Sequence, residues 1–137
     1  MLARLLSRRS LSILLVLNIA ASIVHYLDNI AFFSEYPEPT WLDPTRVDVA
    51  WFVMTPFACA GYALYRRGQI RLGASLLTIY ALMGLLVLGH YRYADICSIA
   101  LRIHGFILLE AGAAACLLAW LMLMLRQPKF PNVGGIA

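Results

Sequence analysis

The stretch LSILLVLNIAASIVHYLDNIAFF, residues 11–33, decides how the chain must be read. It exceeds the roughly 20 apolar residues a helix needs to cross a bilayer, yet it holds His25, Asp28 and Asn29. A charged group at the bilayer centre costs roughly 2.5–3.5 kcal/mol on insertion scales, so such groups pair, face a bundle interior and mark a site. Asn18, Ser22, His25 and Asn29 follow at spacings of four, three and four, which is one continuous helical face. Asp28 lies three residues from His25 and falls beside it. Lipid offers no hydrogen bonds, so the stripe must face other helices or a cavity. Interhelical hydrogen bonding accounts for Asn18 and Ser22. A carboxylate is an expensive way to join helices, which makes His25 and Asp28 the candidate acid/base pair.

The rest of the chain agrees with a membrane reading. Of 137 residues 62% are hydrophobic and 13% charged, and the mean hydropathy is +0.78, a surface no soluble domain of this length could hydrate. Beyond the first span, at about 11–33, three more apolar stretches qualify, at about 47–65, 72–90 and 96–125. The expected fold is an all-α membrane protein, a single antiparallel bundle of four transmembrane helices. Pro56 is expected to kink the second span, and the fourth is long enough to tilt. The links at 66–71 and 90–95 are tight. The loop at 34–46, rich in Pro and aromatic residues, reads as a structured outer cap, and residues 127–137 as a flexible tail.

Basic residues set the orientation. Arg4, Arg8, Arg9, Arg66, Arg67, Arg71, Arg126 and Lys129 fall on one side, and only Arg46, Arg92 and Arg102 do not. All seven acidic residues lie at the other surface or within the membrane. Both termini are therefore expected in the cytoplasm, in the inner or plasma membrane if the protein is bacterial. Ser7-Arg8-Arg9-Ser10-Leu11 resembles a twin-arginine export signal, but the apolar run continues to Phe33, which favours an uncleaved first span. The net charge of +4 comes without a basic stripe interleaved with aromatics, so no nucleic-acid partner is expected.

Other polar residues join the candidate site. Asp48 lies near the outer end of span two, as a helix N-cap or a binding residue. His90 ends span three as an interfacial anchor or a ligand contact. Span four brings Arg102, His104 and Glu110. Arg102 and Glu110 are two turns apart, about 12 Å along the axis, too far to pair directly. Glu110 sits near mid-membrane and demands a partner on another helix or a proton. Counted from the span centres, His25, Asp28 and His104 lie in the outer half, with His90 a little above and Glu110 a little below. One cavity lidded by the Pro-rich loop could gather them. The three histidines fall on different helices with no HxxxH or HExxH pair, and Cys59, Cys97 and Cys116 form no CxxC, so no metal and no cofactor is expected.

Short motifs resemble the emopamil-binding/sigma-2-receptor group, the EXPERA family of four-helix membrane proteins. They are Tyr26-Leu27-Asp28-Asn29, Pro56-Phe57, Tyr62-Ala63-Leu64, Arg67-Gly68, Ile79-Tyr80 and the ending Met124-Leu125-Arg126-Gln127-Pro128. They span most of the chain but are short and apolar. The family's acidic residue within helix two has no clear counterpart, Asp48 being nearer the helix end. The resemblance implies a lipid- or sterol-like ligand in a membrane cavity, and double-bond isomerisation by acid–base groups. The residues thus point to binding of a hydrophobic small molecule or membrane lipid, with His25, Asp28 and Glu110 as acid/base candidates. Asn18, Ser22, Asn29, Asp48, His90, Arg102 and His104 are the binding candidates. The alternatives are a small accessory subunit, partnered by its own copies or a membrane complex, and a metal- or proton-handling protein.

Overall fold

The computed structural model describes residues 7–127. The expectations resting on Arg4, Lys129 and the tail from 128 onward lie outside the described residues. The described residues form helices and connecting loops with no strand, with α1 at Arg8–Ala31, α2 at Pro44–Arg66, α3 at Ile70–Leu85 and α4 at Leu101–Leu125. α3 runs on as a 3₁₀ helix at Leu86–Arg92, and short 3₁₀ turns lie at Phe33–Glu35 and Ile96–Ser98. Counting the 3₁₀ extension of α3, four helices are long and apolar enough to cross a membrane.

Local chemistry sets the ends. Ser7 caps α1 by accepting from the Ser10 N–H at 3.1 Å. Asp43, not Asp48, caps α2, accepting from the Arg46 N–H at 2.9 Å, and Pro44 follows at the first helical position, where its missing N–H costs nothing. α2 therefore begins three residues before the apolar run does. Pro56 sits inside α2 without ending it. Gly68 at φ +84° takes the left-handed conformation that closes a helix, and its N–H returns to the Tyr65 carbonyl at 3.1 Å. The fourth helix starts later than its hydropathy suggests. Asp95 caps the Ile96–Ser98 turn, and Ile99 and Ala100 are extended.

The interior has two apolar clusters. The larger holds Leu11, Leu15, Leu77, Leu117, Trp120 and Leu121. The smaller, nearer the loop, holds Tyr36, Ile99, Ile103 and Ile107. Between them along α1 and α4 come the buried polar residues Asn18, Ser22, His25, Asn29 and Glu110. α2 packs mainly on α3, while α1 and α3 both pack on α4. α1 and α2 meet sparingly, through a Ser12–Tyr62 hydroxyl contact of 2.7 Å at one end and a Tyr26–Asp48 hydrogen bond at the other.

The α2–α3 contact is close because both sides are glycine. A Cβ on Gly73 would stand 2.6 Å from the Tyr65 nitrogen and 2.7 Å from the Gly61 oxygen, and neither backbone atom can step aside. Overpacking of this kind costs about 1–3 kcal/mol. Gly73→Ala is expected to lower the thermal unfolding midpoint in detergent accordingly. Gly105→Ala and Gly112→Ala, inside α4 with nothing within 4 Å among the described residues, should not lower it, because both gain helix propensity instead.

Candidate functional site

His25 and Glu110 are the deepest polar contact between helices. His25 Nδ1 and Glu110 Oε2 are 2.5 Å apart, and the residues are 5% and 6% exposed. With Glu110 ionised, the imidazole Nδ1–H donates and the carboxylate accepts. His25 and Asp28 do not form the acid/base pair expected from their spacing. Asp28 turns instead to two stronger donors. The Tyr36 hydroxyl donates to its Oδ2 at 2.7 Å, and the Arg102 guanidinium donates to its Oδ1. Arg102 also donates to Glu35 Oε2 at 2.7 Å and lies 4.1 Å above the Phe32 ring centroid. Asp28 is thus held in a network tying α1, α4 and the outer loop.

The loop delivers residues that spacing along the helices did not reveal. Tyr36 is buried, stacks on His25 with centroids 5.6 Å apart and meets His90 edge-on at 5.5 Å. Burial first, and then its hydrogen bond to the Asp28 carboxylate, pushes the Tyr36 phenol well above its ordinary pKa. Glu38 Oε1 accepts from Asn29 Nδ2 at 2.7 Å and lies 3.5 Å from His90 Nδ1. That nitrogen is 3.4 Å from the Pro37 carbonyl. His90 in turn meets His25 edge-on at 5.5 Å. The signal for these loop residues was weak but present, as two acids flank Pro37 in a loop read as a cap.

A cleft of about 440 Å³ opens beside this cluster, lined at its polar end by Ser22, His25, Asn29, Glu38, His90 and Glu110. Its other walls are apolar and aromatic, from Trp51, Met54, Met83 and Val87 among others. Asn18 is buried one layer below Ser22, its Nδ2 without a hydrogen-bond partner among the described residues. Asp48 accepts from the hydroxyl of Tyr26, which lines the cleft, but does not itself line it.

His104 departs from its expected place. Its Nδ1 meets the Tyr91 hydroxyl and its Nε2 the Ile96 carbonyl, each at 3.0 Å. Both nitrogens are satisfied by the α3–α4 connection, so His104 pins that link and lines no part of the cleft. Arg102 likewise stands outside the cleft and acts through Asp28. Among the described residues no group of three or more His, Cys, Asp or Glu side chains is placed to hold a metal ion. No protein-family model, no curated protein and no solved structure matches the chain.

Removing Arg102 would leave Asp28 with one partner and free the Glu35 end of the loop. Arg102→Ala is expected to raise protease cleavage and amide exchange across residues 32–43 severalfold while exchange at residues 70–85 stays the same. The Tyr36 phenol carries a pH signature of its own. A phenol whose folded pKa lies above its unfolded value near 10 contributes stability that is constant below pH 10 and is lost as pH rises beyond it. Tyr36→Phe should therefore flatten the fall of thermal stability between pH 10 and 11.5.

Proposed function

We propose that the protein is a multi-pass membrane protein that binds a lipid- or sterol-like molecule in the cleft, with His25 as the group that exchanges a proton with it. In this reading the spans are antiparallel and both termini are cytoplasmic. Contacts in which one helix's numbers rise as the other's fall support that arrangement: His25–Glu110 with Asp28–Arg102, and Gly61–Leu77 with Tyr65–Gly73. The exposed basic residues Arg8, Arg9, Arg66, Arg67, Arg71 and Arg126 support the sidedness.

The observation that carries the reading is the His25–Glu110 couple on the wall of an otherwise apolar cleft. A buried contact between two ionisable groups is seldom worth more than apolar packing. Its placement beside a space the size of a small lipid therefore speaks for chemistry or recognition there. Glu110 holds the ring by one nitrogen and leaves the other for an occupant, the geometry that positions an imidazole for proton transfer. The emopamil-binding resemblance points to the same ligand class. Asp28, fully engaged by Arg102 and Tyr36, serves the cap and not the proton.

The accessory-subunit reading needs polar residues left over for a partner's helix. Here His25 and Asn29 find Glu110 and Glu38 within the chain, and the polar atoms left over on Asn18, His25 and Asn29 are buried and not displayed on an outer helix face, which favours a self-contained site.

Mass spectrometry of organic extracts from protein purified in mild detergent tests the proposal. Wild-type protein should retain an apolar molecule near one per chain. Glu110→Gln, with helix content unchanged by circular dichroism, should retain at least about tenfold less, since a lost buried partner is worth roughly 3–5 kcal/mol. Equal retention by the variant would sink the assignment.

A further inference from the structure

Two buried acceptor atoms, on residues that line the cleft, have no hydrogen-bond partner among the described residues. Asn29 spends its Nδ2–H on Glu38, and its Oδ1 is buried without a partner. With Glu110 ionised and the His25 ring neutral, Nδ1–H donates to Glu110 and Nε2 presents a lone pair, which is also buried with no partner among the described residues. Both residues line the cleft and are 5% and 4% exposed. They stand one turn apart on α1, about 6 Å along the axis. The neighbouring tyrosine hydroxyls, Tyr26 and Tyr36, are already committed to Asp48 and Asp28.

We infer that the molecule bound in the cleft presents a hydroxylated head, best matched by two hydroxyls on adjacent carbons, to His25 Nε2 and Asn29 Oδ1. This rests on the hydrophobic-ligand reading above and specifies the polar end of that ligand. Unpaired buried acceptors select sharply, because an analogue that cannot donate leaves them unsatisfied at full cost. A carboxylate or phosphate head brings more acceptors, and like charge, against Glu38 and Glu110. An ether or ester brings lone pairs only. An ammonium supplies donors but must be stripped of water at full charge to enter a cleft with mostly apolar walls, and a hydroxyl is far cheaper to strip. The apolar body of the ligand then lies along Trp51, Met54, Met83 and Val87.

A ladder of probes with one tail tests this on the wild-type protein. Dodecylglycerol monoether (two hydroxyls), dodecanol (one), dodecyl methyl ether (none) and dodecanoate are titrated into protein in detergent. Binding is read from the intrinsic fluorescence of Trp41 and Trp51, which line the cleft, and corrected for partition into micelles. Affinity should fall about tenfold with each donor removed, and dodecanoate should bind no better than the methyl ether. In Asn29→Ala the gap between the monoether and dodecanol should close to less than about twofold; should that variant not fold, the wild-type ladder decides alone. Equal affinity for the monoether, dodecanol and the methyl ether overturns the hydroxyl head and leaves hydrophobic binding standing. Tightest binding of dodecanoate overturns it too. Binding of none of the four overturns the hydrophobic-ligand reading and this inference with it.

Discussion

The His25–Glu110 contact is the point from which the rest of the structure takes its register. Both groups are buried beside the cleft and between two apolar clusters, where lipid offers no hydrogen bond to replace a missing partner. Sliding α1 against α4 by one turn would strand an imidazole and a carboxylate at once. With that contact fixed, Asp28 arrives opposite Arg102 one turn further toward the loop, and Ile103 and Ile107 fall into the smaller cluster that Tyr36 closes. Apolar packing alone would tolerate several registers between such featureless helices. The polar pair admits one.

The outer loop is the second half of the same constraint. Asn29 could not be buried alone, and Glu38 could not be carried into the protein without donors. Each makes the other's burial affordable through the 2.7 Å contact between them. Arg102 does similar work at the rim by engaging Asp28 and Glu35 together, although its partial exposure makes that part of the network weaker than the buried contacts. The loop is therefore a working wall of the site, supplying a carboxylate and an aromatic ring that the helices lack.

The four long apolar helices could be read from composition and run length, because hydropathy acts on every residue of a span. The stripe of Asn18, Ser22, His25 and Asn29 was legible from periodicity, since a helix maps spacing to direction, and all four are buried. Partner choice was not legible. Spacing of three puts Asp28 beside His25, but it says nothing of Arg102 and Tyr36, which come from 74 and 8 positions away and bind the carboxylate more strongly. Glu110 announced that it needed a partner, yet only the fold could name one 85 positions distant. His104 misled for a related reason. Depth along a helix locates a residue's level and leaves its azimuth open, and His104 faces the α3–α4 link. The start of α2 at Pro44 follows from Asp43 and the proline, a capping signal that the apolar count passed over.

The depth profile also separates the proposed function from a conduit. Polar groups descend from Glu38 and His90 through His25 and Glu110 to Ser22 and Asn18. Below Asn18, Leu15 and Leu11 on α1 pack with Leu77 on α3 and Leu117 and Leu121 on α4, over about 10 Å of helix rise. A proton crossing that layer would need a continuous chain of donors and acceptors, and the leucines provide none, leaving only the separate side chains of Tyr65, Tyr80 and Trp120 in that cluster among the described residues. In the proposed function, proton exchange at His25 takes place from the loop side, where the cleft lies. A site supplied from one side only can pass a proton to a bound molecule and take it back, but it cannot carry one across, and that is what a binding or acid–base role requires of it.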